Sequence, residues 1–125
     1  MPLFQVKPQS QTCTLPDAAG DYAAAQRLAQ YRLGRDAVYF PAFPATRYIP
    51  FAAVSKVMAR HTSMPLTGCC GKALPMICVR LFYDGEFYQD FMFENLKETD
   101  RLLDAVQAAR PELDVERLTS DVKAI

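Results

Sequence analysis

The chain has 125 residues, half of them hydrophobic and eight of them phenylalanine, which predicts one globular domain able to bury a core without staples and excludes a disordered chain. Fourteen basic residues balance fourteen acidic ones, so a generic nucleic-acid binder, which would carry a basic excess, is disfavoured. No apolar run approaches the roughly 20 residues that span a bilayer.

The N-terminal stretch Met1-Pro2-Leu3-Phe4-Gln5-Val6 is too short and polar-interrupted for a signal peptide, and a cytoplasmic location is the expectation. Residues 1–14 carry enough apolar character for one edge strand or an ordered arm. The alanine-rich run from Pro16 to Gln30 predicts a helix. Asp17 and Asp21 are its candidate caps, and Tyr22, Ala25, Leu28 and Ala29 form a narrow apolar stripe. From Tyr31 the pattern turns to strands. Arg32-Leu33-Gly34-Arg35-Asp36 reads as a turn, Ala37-Val38-Tyr39-Phe40 as a strand and Thr46-Arg47-Tyr48-Ile49 as its return. Pro41, Pro44 and Pro50 confine these strands to sheet edges or ends. A single helical turn at Phe51-Ala52-Ala53 leads into a strand ending near Thr62.

The clearest pattern runs from Leu74 to Arg110. Period-two alternation places Ile77, Val79, Leu81 and Tyr83 on one face of a first hairpin arm. Asp84-Gly85 suggests a two-residue turn, but that register would set the apolar residues of the first arm on the same face as Glu86 and Asp90. A bulged three-residue loop, Tyr83-Asp84-Gly85 with Gly85 left-handed, instead unites Ile77, Val79, Leu81, Phe87 and Phe91, because a one-residue slip flips a strand. The bulged loop is the expected one. A helix follows, with Asn95 as its cap and Glu98 three residues on. Leu96, Thr99, Leu103 and Val106 form its stripe, flanked by Leu102 and Ala109; Arg110 closes it and Pro111 stops it. Residues 111–125 predict a short second helix capped by Asp114, or a loosely docked tail.

Together these features predict an α+β domain: a small bent antiparallel sheet or partly open barrel, closed by a C-terminal amphipathic helix, with an additional N-terminal helix. The order of short strands, proline-rich bend, hairpin and closing helix resembles bacterial pleckstrin-homology-like domains. The residues that carry the resemblance are Leu33-Gly34-Arg35-Asp36-Ala37-Val38-Tyr39-Phe40 and Tyr48-Ile49-Pro50-Phe51. It covers about residues 28–110, with an arm and helix at 1–30 and a tail at 111–125 around it. It implies a non-enzymatic binding or assembly module. The phosphoinositide site of the eukaryotic relatives needs a clustered basic loop; Arg32, Arg35 and Arg47 are scattered along this chain, so that site is not carried over.

The chemistry-bearing residues are few. Four cysteines, Cys13, Cys69, Cys70 and Cys78, two of them adjacent and without a secretion signal, are expected as free thiols. His61 is the one histidine. With Cys69 and Cys70 it makes an alternative redox or metal site, although the spacing fits no usual zinc pattern and a thiolate would draw on Lys72. Gly68-Cys69-Cys70-Gly71-Lys72-Ala73 fails the phosphate-loop motif, which needs four residues between its glycines and Ser or Thr after Lys. Arg60, His61 and Lys72 are the candidate anion contacts. Phe43, set among Pro41, Ala42 and Pro44, is the aromatic candidate for a ligand surface. No motif calls for catalysis or a cofactor. The expected partners are a protein, a second copy or a small ligand, with no nucleic acid and no transmembrane segment; peripheral membrane contact is compatible with the sequence.

Overall fold

The computed structural model describes residues 6–42, 45–65 and 73–118. Its elements are β1 (Val6–Pro8), α1 (Ala18–Ala24), β2 (Gln26–Leu28), β3 (Tyr31–Leu33), β4 (Ala37–Ala42), β5 (Ala45–Pro50), a 3-10 turn (Phe51–Ala53), β6 (Val54–Pro65), β7 (Ala73–Tyr83), β8 (Phe87–Phe93), α2 (Leu96–Ala109) and β9 (Val115–Glu116). The fold is α+β, as expected, but among the described residues the strands form two sheets where one was predicted. The first sheet has the order β1-β5-β4-β3-β2 and the second β8-β7-β6-β9. Both are mixed, because β1 runs parallel to β5 and β9 parallel to β6. The two do not close into a barrel.

The first sheet is covered on both faces. One face joins the main core, to which it gives Leu28, Tyr31, Val38, Phe40 and Ile49. The other carries a small second cluster of Ala37, Tyr39 and Tyr48, packed by Val6, Leu15, Ala18, Tyr22 and Ala25 from the arm and α1. Double coverage explains the unbroken apolar run Ala37–Phe40, all four residues of which are buried, since a strand shielded on both sides has no solvent face to mark with polar residues.

The second sheet contributes Val57, Ala59, Ile77, Val79, Leu81, Phe91 and Phe93 to the main core. α2 contributes Leu102, Leu103 and Val106, and its Thr99 is buried with its hydroxyl donating to the Asn95 carbonyl. Asn95 caps α2 as predicted: its Oδ1 accepts from the Glu98 N–H at 2.9 Å. Arg110 ends the helix and also reaches across to the 3-10 turn, where its guanidinium donates to the Ala52 and Val54 carbonyls at 2.8 and 3.2 Å.

Three local expectations are corrected. α1 stops at Ala24, and Gln26–Leu28 is a strand. Asp17 caps it and Asp21 does not. Leu28 is fully buried in the core, where its place on a β-strand outweighs the helical propensity of the alanine run before it. The β7–β8 loop is Asp84-Gly85-Glu86, since Tyr83 pairs with Phe87. The faces expected from a bulged loop hold, but the loop sits one residue later and both Asp84 (φ 53°) and Gly85 (φ 92°) are left-handed. Beyond α2 the chain forms β9 rather than a helix capped by Asp114, and Arg117 ties the segment to Asp104 of α2 at 2.8 Å.

Candidate functional site

Cross-strand register builds a row of side chains on the α1 side of the first sheet. Arg27 of β2 stands opposite Arg32 of β3, Arg32 opposite Tyr39 of β4, and Tyr39 opposite Tyr48 of β5. Directly opposed residues have Cβ atoms about 4.5–5.5 Å apart, and like charges at such positions repel. The two arginines line a pocket of about 280 Å³ together with Tyr22, Gln30, Tyr39 and Thr46. Among the described residues neither forms an ion pair with a carboxylate. Arg27 Nε donates to the Ala29 carbonyl at 3.2 Å, and the Arg32 guanidinium lies 5.0 Å from the centroid of the Tyr22 ring.

The β2–β3 turn beside this pocket is Ala29-Gln30, with Ala29 at φ 56°. A non-glycine residue in the left-handed region stores about 1–3 kcal/mol, and such strain collects at functional sites. On its other side the turn borders a second groove of about 410 Å³, shared by Arg27, Met76, Met92, Glu94 and Glu98. That second side is mixed in charge, since Arg27 stands with two glutamates and Arg101 of α2 donates to the Gln26 side chain and the Arg27 carbonyl at 3.1 and 3.5 Å.

The wall formed by α1 is held by one carboxylate. Asp21 accepts from the Arg35 N–H at 2.9 Å, the Tyr39 hydroxyl at 2.7 Å and the Asp36 N–H at 3.4 Å. Burial first, and then the hydrogen bond to Asp21, drive the Tyr39 phenol far above its ordinary range, so it is a fixed donor. Gly34 makes the approach feasible. A Cβ there would collide with the Asp21 carboxylate and lie 2.8 Å from Tyr39 Cε1.

The residues singled out from sequence lie elsewhere. Arg60 and His61 of β6 border one groove of about 240 Å³ with Met58, Thr62, Cys78 and Arg80. Its cations are already matched: Arg60 pairs with Glu116 at 2.8 Å, and Arg80 makes a two-pronged contact with Asp90 at 2.9 and 3.1 Å. Arg80 also lies 4.1 Å from the Tyr88 ring centroid. Cys78 is half-buried, and burial followed by the negative charge of Asp90 pushes its thiol up to about 11. It is a poor nucleophile at neutral pH. Phe43, Lys72, Cys69 and Cys70 lie outside the described residues, so the proposed union of His61 with the cysteine pair does too.

Arg27 escaped sequence reasoning for a specific reason. Residues 16–30 read as one helix, and on a helix Arg27 and Arg32 share no face. The signal available was the spacing Arg27-Leu28-Ala29-Gln30-Tyr31-Arg32, in which a two-residue turn sets the outer pair opposite each other. Among the described residues no helix is long and apolar enough to cross a membrane, and no three His, Cys, Asp or Glu side chains converge as a metal site. Comparison with family models, with curated proteins and with solved structures gave no match.

Proposed function

We propose that this protein is a non-enzymatic binding module of pleckstrin-homology-like type whose ligand carries a phosphate or comparable anionic group, held in the Arg27/Arg32 pocket. The observation that carries the proposal is the pair of facing arginines in a concave site, without a carboxylate partner among the described residues. Arginine presents a planar fork of N–H donors matched to phosphate and carboxylate oxygens, and an anion between two such forks relieves their mutual repulsion. Thr46 lends a hydroxyl at the rim and Gln30 an amide. The family-level part of the reading is supported by the order of elements: an antiparallel run β2–β5, an antiparallel run β6–β8, then α2.

The groove at Arg60 and His61 is the weaker anion site, because each of its arginines already has a carboxylate partner with which an anion would compete. The same anionic chemistry can come from a soluble phosphate or a lipid headgroup. Calorimetric titration with pyrophosphate, beside co-sedimentation with vesicles of phosphatidylcholine alone or mixed with phosphatidic acid, separates the two sources. Binding in either arm that is lost in Arg32→Ala supports the reading. Binding in neither arm, or binding indifferent to Arg32, sinks it.

A further inference from the structure

Resting on that anion-binding reading, we propose that Tyr22 and Asp21 are positioning residues for the pocket, and that α1 and the bound anion stabilise each other. α1 has seven residues and none of them is buried. A helix this short does not persist by itself, because nucleation is costly and few hydrogen bonds repay it. Its attachment to the sheet therefore rests on a small set of contacts. Ala18 packs on the cluster of Tyr39 and Tyr48, and its carbonyl accepts from the Tyr39 hydroxyl at 3.3 Å. The Asp21 carboxylate is held by Arg35, Asp36 and Tyr39. A further contact is the Tyr22 ring, edge-on to Tyr39 with centroids 5.1 Å apart.

Tyr22 also carries the Arg32 guanidinium over its ring, at 5.0 Å to the centroid. A guanidinium held over an aromatic ring is attracted to its face and still has N–H groups to offer a ligand. The ring thus holds the Arg32 guanidinium in place before a ligand arrives, which lowers the ordering cost of binding. An anion drawn to that edge holds Arg32 over Tyr22, and through Tyr22 holds α1 to the sheet. Binding couplings are reciprocal, so whatever α1 docking adds to anion affinity, the anion adds to α1 docking. Asp21 completes the arrangement without competing for the arginines, since its oxygens are taken by two backbone amides and a phenol.

The test uses the full chain, labelled for resonance spectroscopy and titrated with pyrophosphate, as wild type, Tyr22→Phe, Tyr22→Leu and Asp21→Asn. The readouts are the Nε–H signals of Arg27 and Arg32 and the amide hydrogen exchange of residues 21–25. Wild type and Tyr22→Phe should bind alike, because both keep the ring. Tyr22→Leu should bind about two- to fivefold more weakly, the range set by a cation–π contact at an exposed site. Asp21→Asn should weaken binding in the same direction, and saturating pyrophosphate should slow α1 exchange in the wild type. Equal affinity in all four proteins, or α1 exchange unmoved by saturating ligand, overturns the coupling and leaves the pocket standing. Arginine signals that never shift in the wild type overturn both the coupling and the anion reading.

Discussion

The backbone N–H of Met92 donates to the Tyr31 hydroxyl at 2.8 Å. One side chain of β3 thereby closes part of the outer edge of β8 and joins the two sheets. The Tyr31 ring is edge-on to Phe91 and Phe93, with centroids 5.0 and 5.5 Å away, so the joint has an apolar half and a polar half. Tyr31→Phe keeps the first and removes the second, leaving the Met92 amide and the Gln30 side chain without their acceptor. A hydrogen bond of this kind contributes about 1 kcal/mol net. Urea denaturation should show that loss with an unchanged slope, and the Met92 amide should exchange faster. Unchanged stability together with unchanged exchange would show that the two sheets do not depend on this bond.

Asp84 governs the arm in a similar way. Its carboxylate takes hydrogen bonds from the Ser10 and Thr12 hydroxyls, both at 2.6 Å, and from the Gln11 N–H at 2.7 Å. Burial pushes its pKa up, but these hydrogen bonds outweigh it and hold the carboxyl below its ordinary range. A lowered folded-state value means that the contribution is complete above about pH 4, the unfolded value, and fades as pH falls through the folded one. Asp84→Asn tolerates the left-handed backbone, which asparagine also adopts, but removes the charge and turns one of the two accepting oxygens into a donor. We expect about 1–2 kcal/mol less stability at neutral pH and a flatter stability profile below pH 4 than the wild type shows. Parallel profiles for the two proteins would mean that the carboxylate does not hold the arm.

Cys78 should resist alkylation. With its thiol pushed up to about 11 by burial and the nearby charge of Asp90, little thiolate exists at neutral pH, and iodoacetamide should modify it much more slowly than in the urea-unfolded chain. Its rate should climb steadily as pH rises towards 11. Modification at neutral pH as fast as in the unfolded chain would contradict the packing around β7.

Legibility followed the length and regularity of the pattern. α2 was readable residue by residue, because its cap, stripe and proline stop all agree: Asn95, Leu102, Leu103, Val106 and Pro111. The hairpin faces were readable because a parity error would have pointed Phe91 and Phe93 to solvent. The shift of the loop from Tyr83–Gly85 to Asp84–Glu86 was not, since both choices have the same parity, and the arm's hold on Asp84 joins residues more than 70 positions apart. The pocket was the least legible part. It depends on Gln26–Leu28 forming a strand against local alanine propensity, a choice made by burial of Leu28 in a core assembled from distant segments. The sites that sequence did suggest, Arg60 and His61, are present as a groove, but Glu116 and Asp90, unforeseen as partners, neutralise its arginines.

The central claim is that the Arg27/Arg32 pair holds an anion, and the most direct measurement is a pyrophosphate titration of Arg27→Ala, Arg32→Ala and Arg60→Ala beside the wild type, each checked for folding by thermal melting. Binding that is lost in the first two proteins, kept in the third, and weakened by rising salt as charge pairing requires is the predicted result. Binding that survives both pocket substitutions, or that disappears only with Arg60, would contradict the account.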